Sequence, residues 1–311
     1  MPRPTPQYDS LPWLLWLWFA LALFFLARPP LLLFWEYTLH PAAEKEAGRV
    51  AETMRLPGVP ASLDKVWPGA SGRAAEGRLS PLEQGIFEAS NHEREALVKP
   101  KLGMNAELAQ VAAYHSRQMR DDGFFARTAP DGAGPADRAG KALRWTFGAV
   151  AENIAKLTDR DELAKAFVEG WMNSPGQRRN LLDGGSTDLG VGCAEPAAND
   201  AQAWLHCTQL FMAVWANLKQ PMPDSVAAGS AVEVELVPEN GKPLPTQLRQ
   251  TDVRTSAVVA DIPLQAHNGG AAGHWEVRGP AGVYRLEIGV PDPVSAGRVV
   301  IVPGPYVTVS P

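Results

Sequence analysis

Apolar residues fall into three patterns along this chain, and each predicts a different kind of structure. Residues 11–27 form an unbroken run, Leu-Pro-Trp-Leu-Leu-Trp-Leu-Trp-Phe-Ala-Leu-Ala-Leu-Phe-Phe-Leu-Ala, without a charge. As a helix this run would reach about 25 Å, a little short of a ~30 Å hydrocarbon core. Arg28 can snorkel at one end, and residues 31–35 add apolar length beyond Pro29-Pro30. The pattern predicts a polar tail at 1–10 and a transmembrane anchor at 11–35. A cleaved signal peptide with Arg3 as its basic end is the alternative; three tryptophans and no Ala-x-Ala site after the run favour retention. Residues 36–79, with a helix predicted at 41–56 and then Gly, Pro and Ala, read as a spacer.

A helical rhythm follows in residues 80–216. Ser80-Pro-Leu-Glu83 is a capping box with proline at the first helical position, and its helix is predicted to run to about Val98. A second helix begins near Asn105, with Leu108, Val111, Ala112, His115 and Met119 on one stripe. A third begins near Thr158, stacks Leu163, Ala166, Phe167, Gly170 and Trp171, and ends at Ser174-Pro175, which caps a short helix. Strands are predicted at 190–194 and 204–214. Helices and strands do not alternate, so the class is α+β, with helices on a small antiparallel sheet.

Past Trp215 the period shortens to two. Residues 217–226 read as a linker. Residues 227–311 carry about six strands, at 232–237, 256–261, 274–278, 283–288, 298–302 and 306–309, with turn signals at Asn240-Gly241 and Pro280-Ala-Gly282. An all-β, immunoglobulin-like sandwich fits this spacing.

Composition narrows the function classes. A net charge of −5 with 20% charged residues offers no basic field to nucleic acid. Charge does not orient the anchor, because Arg3 precedes it while Arg28, Lys45 and Arg49 follow. The two cysteines, Cys193 and Cys207, flank what reads as strand–loop–strand. A bridge between neighbouring antiparallel strands is open to them, worth ~3 kcal/mol in the chain-entropy picture; so is a pair of buried thiols. A bridge would place the domain outside the cytoplasm.

Short motifs run in register from 91 to 211. They are Asn91-His-Glu-Arg94, Gly123-Phe-Phe-Ala-Arg-Thr-Ala-Pro-Asp-Gly132, Ala151-Glu-Asn-Ile154, Gly170-Trp-Met-Asn-Ser-Pro-Gly-Gln-Arg-Arg-Asn-Leu-Leu182, Leu189-Gly-Val-Gly192 and Thr208-Gln-Leu-Phe211. Their order and spacing resemble the bacterial branch of the CAP superfamily, the SCP-like extracellular domains related to cysteine-rich secretory, antigen 5 and pathogenesis-related proteins. The resemblance implies an α–β–α sandwich over 80–216 and a cleft of histidines and acids that in some members holds a divalent metal. It also implies a cleft acid at Glu152. Bacterial relatives carry histidine where this chain has Arg127 and Gln177.

That departure shapes the expected chemistry. Glu152 is a candidate metal ligand or base, or a carboxylate that holds its loop by accepting backbone amides. Guanidinium cannot ligate metal, so an Arg127 facing Glu152 would form a charge-assisted pair and leave Glu152 a poor base. Gln177 can hydrogen-bond a ligand but cannot shuttle a proton. No cofactor is expected, and a divalent metal is disfavoured by both substitutions. His206 resembles the histidine that precedes the last strand in eukaryotic members and could pair with Glu152, or else bond to backbone as an ordinary strand residue. His115 reads as core, His92 as solvated, His40 as juxtamembrane and His267 as part of a loop. Asn91, Asn153, Trp171 and Phe211 read as scaffold, and Arg178 and Arg179 as caps of a short helix. No Gly-x-Ser-x-Gly elbow is present.

The leading expectation is a single-pass membrane protein with its bulk in the periplasm or at the cell surface. It would act as a non-catalytic binding module for an envelope lipid, peptidoglycan fragment or protein through Arg127, Glu152, Gln177 and His206. The alternatives are a hydrolase using Glu152 with His206, and an interaction protein working through the C-terminal sandwich.

Overall fold

In a computed structural model that describes residues 79–311, apart from 159, 197–199 and 201, Ser80 opens helix α1 (Pro81–Ala96). Its hydroxyl accepts from Glu83 N at 3.3 Å while the Glu83 carboxylate accepts from Ser80 N at 2.8 Å, the expected capping box. The expected tail and anchor, and the connector as far as 78, lie outside the described residues. No described helix is long and apolar enough to cross a membrane.

Asn105 caps α2 (Ala106–Asp121) by accepting from Leu108 N at 3.0 Å, and the expected stripe is buried. A short helix α3 (Pro135–Ala142), not anticipated, comes next; Asp137 accepts from Gly134 N at 2.8 Å and so closes its first turn. The Ala151-Glu-Asn-Ile motif is not a loop. It sits inside β2 (Thr146–Leu157), and the third expected helix, α4 (Leu163–Asn173), starts only after that strand ends. Helix α5 (Pro175–Leu181) follows Ser174, as expected.

The sheet is built around β4 (Leu205–Leu218), which pairs antiparallel with β2 on one side and β3 (Asp188–Ala194) on the other. A two-residue β1 (Gly103–Met104) runs parallel to β3. Alternation along β4 separates two cores. Leu205, Cys207 and Phe211 pack with Phe167 and Trp171 under α1, α4 and α5. Leu210, Met212 and Val214 pack with Leu108, Val111, Ala112 and Leu143 under α2 and α3. The result is three layers, helix–sheet–helix. Helix α2 rides so close to β3 that a Cβ on Gly190 would sit 2.3 Å from Ala109 N, and one on Gly192 2.0 Å from Ala113 N.

Cys193 and Cys207 are directly opposed in the β3–β4 register and form a disulfide, with Cα atoms 4.2 Å apart. Replacing both by alanine is expected to lower unfolding free energy by about 3 kcal/mol in urea titration. A loss under about 1 kcal/mol would mean that the cross-link does not restrain the unfolded chain.

The C-terminal strands do not hang from a linker. Residues 216–218 of β4 pair with β6 (Ala231–Pro238), which pairs with β10 (Gly270–Glu276) and through it with β9 (Gln265–His267), so the first sheet continues across the expected boundary. Met222 is buried, its N–H donates to Arg144 O, and Arg144 pairs with Asp224. Burying Leu218 and Met222 in the C-terminal core pins the segment expected to be loose. A second sheet has the order β5 (Ser225–Ala227), β12 (Val299–Ser310), β11 (Gly282–Pro291), β7 (Gln247–Asp252), β8 (Val258–Pro263). The strands expected at 298–302 and 306–309 are one strand, with a register slip opposite Arg285 and Glu287 that accommodates the Pro-Gly-Pro between them. Phe147, Trp275, Leu286, Ile288 and Val307 share one core.

Helix α3 is held between these regions. Tyr306 of β12 donates to Asp137 Oδ1 at 2.6 Å, and a Cβ on Gly140 would lie 2.8 Å from Gly304 O. The described residues form one compact unit.

Candidate functional site

Glu152 lies mid-strand in β2, opposite Leu210, on the face that α2 and α3 cover. Its side chain is 0% exposed. Oε1 accepts from Arg138 Nη2 at 2.7 Å, and Arg138 Nη1 donates to Ala133 O at 2.8 Å. Glu152 Oε2 has no hydrogen-bond partner; His115 Nε2 stands 3.8 Å from it and bonds to Ala126 O at 3.0 Å. A neutral His115 ring therefore donates from Nε2, leaving a buried Nδ1 without a hydrogen bond. The core histidine of the α2 stripe and an arginine from the unanticipated α3 thus meet the motif acid.

Burial dominates the titration of this trio. It raises the Glu152 carboxyl to about 7 against the pull of the Arg138 guanidinium. It lowers His115 to about 4, and the Arg138 charge pushes the same way. These shifts have opposite consequences for stability. Folded Glu152 holds a proton that the unfolded chain releases above its ordinary 4.5, so its contribution is complete below 4.5 and lost as pH rises through 7. Unfolded His115 takes up a proton below its ordinary 6.5 that the folded ring refuses, so its contribution is complete above 6.5 and lost as pH falls through 4. Between the two the slopes oppose, each at most about 1.4 kcal/mol per pH unit. Glu152→Gln is therefore expected to make the melting temperature climb more steeply with pH over this window than in the parent chain, and His115→Gln to make it fall. Two variants with the parent's profile would contradict the assignment.

Arg127 and Gln177 both donate to the backbone of β2. Among the described strands β2 pairs with β4 alone, so its other edge has no described strand beside it. Arg127 Nε donates to Glu152 O at 3.1 Å, joined there by Asn180 Nδ2 at 3.2 Å, and Gln177 Nε2 donates to Ile154 O at 3.0 Å. These side chains satisfy carbonyls that an unprotected edge would offer to another strand. An Arg127 facing Glu152 would have paired with the carboxylate; Arg138 makes the contact with Oε1, and Arg127 donates to the carbonyl. Asn153 donates to Gln177 O and Gln209 Oε1, and Asn91 exchanges two hydrogen bonds with Leu102, so both asparagines bridge backbone as expected.

His206 does not join Glu152. It opposes Lys156, four residues along β2 from Glu152, which is a separation of about 13 Å at a strand's rise per residue. Its ring is buried against Phe125 instead, with centroids 6.3 Å apart, and burial lowers its pKa.

The Glu152 pocket does not suit a metal ion. A guanidinium already occupies Oε1, His115 Nε2 is committed to Ala126 O, and among the described residues no three His, Cys, Asp or Glu side chains converge.

Residues 87–211, which hold this trio and the sealed strand edge, match the profile of the Cysteine-rich secretory protein family, CAP. This segment is a CAP domain. The CAP domain is similar to the uncharacterized protein YkwD of Bacillus subtilis, 29% identical over 158 residues, covering 51% of this chain and 59% of the relative. The uncharacterized membrane protein YlbC of the same organism is 33% identical over 111 residues, covering 35% of this chain and 31% of YlbC. The chain thus spans less than two thirds of either relative's length. An extracellular SCP-domain protein from Bacillus anthracis is 30% identical, with a TM-score of 0.35, over 44% of this chain and 45% of its own.

Sequence reasoning missed Arg138. Its signal was Gly134-Pro-Ala-Asp137, a proline at the first helical position with an acid two residues on, which starts a short helix one turn ahead of the arginine.

Proposed function

We propose that this CAP protein is an extracytoplasmic, membrane-anchored binding module for an envelope ligand, and that its CAP domain does not catalyse turnover. The burial of Glu152 carries this reading. A carboxylate with no exposed surface, clamped by Arg138, is out of reach of a substrate, and geometry comes before pKa in choosing a general base. Separation of His206 from Glu152 removes support from a hydrolase using the two together. The disulfide favours an oxidising compartment, and the membrane-protein description of YlbC supports the anchor read at residues 11–35. The C-terminal strands, read as an immunoglobulin-like sandwich, supply the wall behind α3 as well as a second surface.

The test is turnover by the purified full chain on peptide, ester and glycan panels, alongside Glu152→Gln. The expected result is none that depends on Glu152, with binding to envelope fractions retained in the variant. Turnover abolished by Glu152→Gln, in a variant with the parent's circular dichroism, would overturn the reading.

A further inference from the structure

Phe125 and Trp204 are among the aromatic rings that lie outside every hydrophobic core of the described residues. Phe125, in the loop after α2, is 45% exposed, and Trp204, just before β4, is half-buried. Lys156 of β2 reaches between them, its Nζ 5.5 Å from the Phe125 centroid and 5.0 Å from the Trp204 centroid. Among the described residues Lys156 makes no ion pair, and its ammonium lies over the two ring faces. Directly across the strand pair stands His206, 6% exposed, its ring against Phe125 and its buried Nδ1 without a hydrogen-bond partner. A half-buried cation held against two ring faces that belong to no core is more than a surface needs merely to cover its interior.

Resting on the binding-module reading above, we infer that Phe125, Lys156 and Trp204, backed by His206, form a subsite for a carboxylate-bearing saccharide. Each group matches one part of such a ligand. The rings offer flat apolar faces to the C–H face of a pyranose, and the ammonium between them is a partner for a carboxylate on the sugar. His206, buried with its ring against Phe125, backs that face of the site. An acyl chain is a poorer match, because the lysine charge interrupts the apolar surface. Nucleic acid is disfavoured by the chain's net charge of −5.

The experiment is isothermal titration of the full chain in detergent micelles with a disaccharide of N-acetylglucosamine and N-acetylmuramic acid. Carboxylate-free N-acetylglucosamine oligomers and phosphatidylglycerol vesicles serve as comparisons. The acidic disaccharide is expected to bind at least tenfold tighter than the neutral oligomer. Lys156→Met should abolish that preference, and Trp204→Ala should weaken both sugars about tenfold, each with the parent's melting temperature. Equal binding of the two sugars, or binding untouched by either variant, would overturn the assignment. Vesicle or envelope binding that both variants retain, without saccharide binding, would refute the subsite while leaving the binding module standing. No binding to any envelope component, with turnover that depends on Glu152, would overturn the module itself.

Discussion

Arg138→Leu is expected to destabilise the protein by about 3–5 kcal/mol, the range for removing one partner of a buried ion pair. Arg138 is 3% exposed and gives Glu152 the only hydrogen bond its carboxylate receives from the described residues, so the variant leaves a buried carboxyl group with neither oxygen bonded to them. The loss should show as a lower urea midpoint at unchanged slope. The double variant Arg138→Leu/Glu152→Leu separates charge from packing, since apolar replacement of both partners is often neutral or stabilising. It is expected to return most of the lost stability. A single variant within about 1 kcal/mol of the parent would mean that Glu152 reaches water, and the binding-module reading would lose its main support.

Gly192→Ala should have an effect of similar size from a different cause. The Cβ would lie 2.0 Å from Ala113 N and 2.5 Å from Ala113 Cα, backbone atoms that no rotamer change can move. Overpacking usually costs about 1–3 kcal/mol where side chains can adjust. Here α2 must lift off β3, so a loss above about 3 kcal/mol is expected, seen as a fall in melting temperature and faster exchange of the β3 amides. Gly176→Ala, where a Cβ meets nothing within 4 Å, is the matched control and should stay within about 0.5 kcal/mol of the parent. A Gly192→Ala variant as stable as the control would show that the helix and strand sit further apart.

Legibility in the sequence followed the strength of each local signal. The Ser80 capping box, the α2 stripe and the Ser174-Pro175 stop are dictated by neighbouring residues, and all appear in the structure. Strand β2 was obscured because it has one edge with no described strand beside it and a buried acid at its middle; Glu152 breaks the apolar rhythm by which a strand is recognised. The linker reading at 217–226 failed on Leu218 and Met222, whose burial depends on β6 and the second sheet, partners that no local window contains. The candidate site divides in the same way. Glu152 was visible by motif, but its true neighbours come from a helical stripe, where a histidine looks like core, and from an eight-residue helix whose two turns give little periodicity to read. That Arg127 and Gln177 bond to strand carbonyls depends on β2 being an edge, a fact of topology and not of spacing.

The clamp on α3 has a consequence for how this CAP domain could be inherited. A module that recombines freely must carry all of its own walls, yet the helix bearing Arg138 leans on Gly304 and is tied to Tyr306, more than a hundred residues downstream. Cut after β4 and spliced to an unrelated partner, the segment would keep its motifs and lose the brace behind its central ion pair. The two halves of this protein are therefore tied at one joint, where Asp137 and Gly140 meet Tyr306 and Gly304.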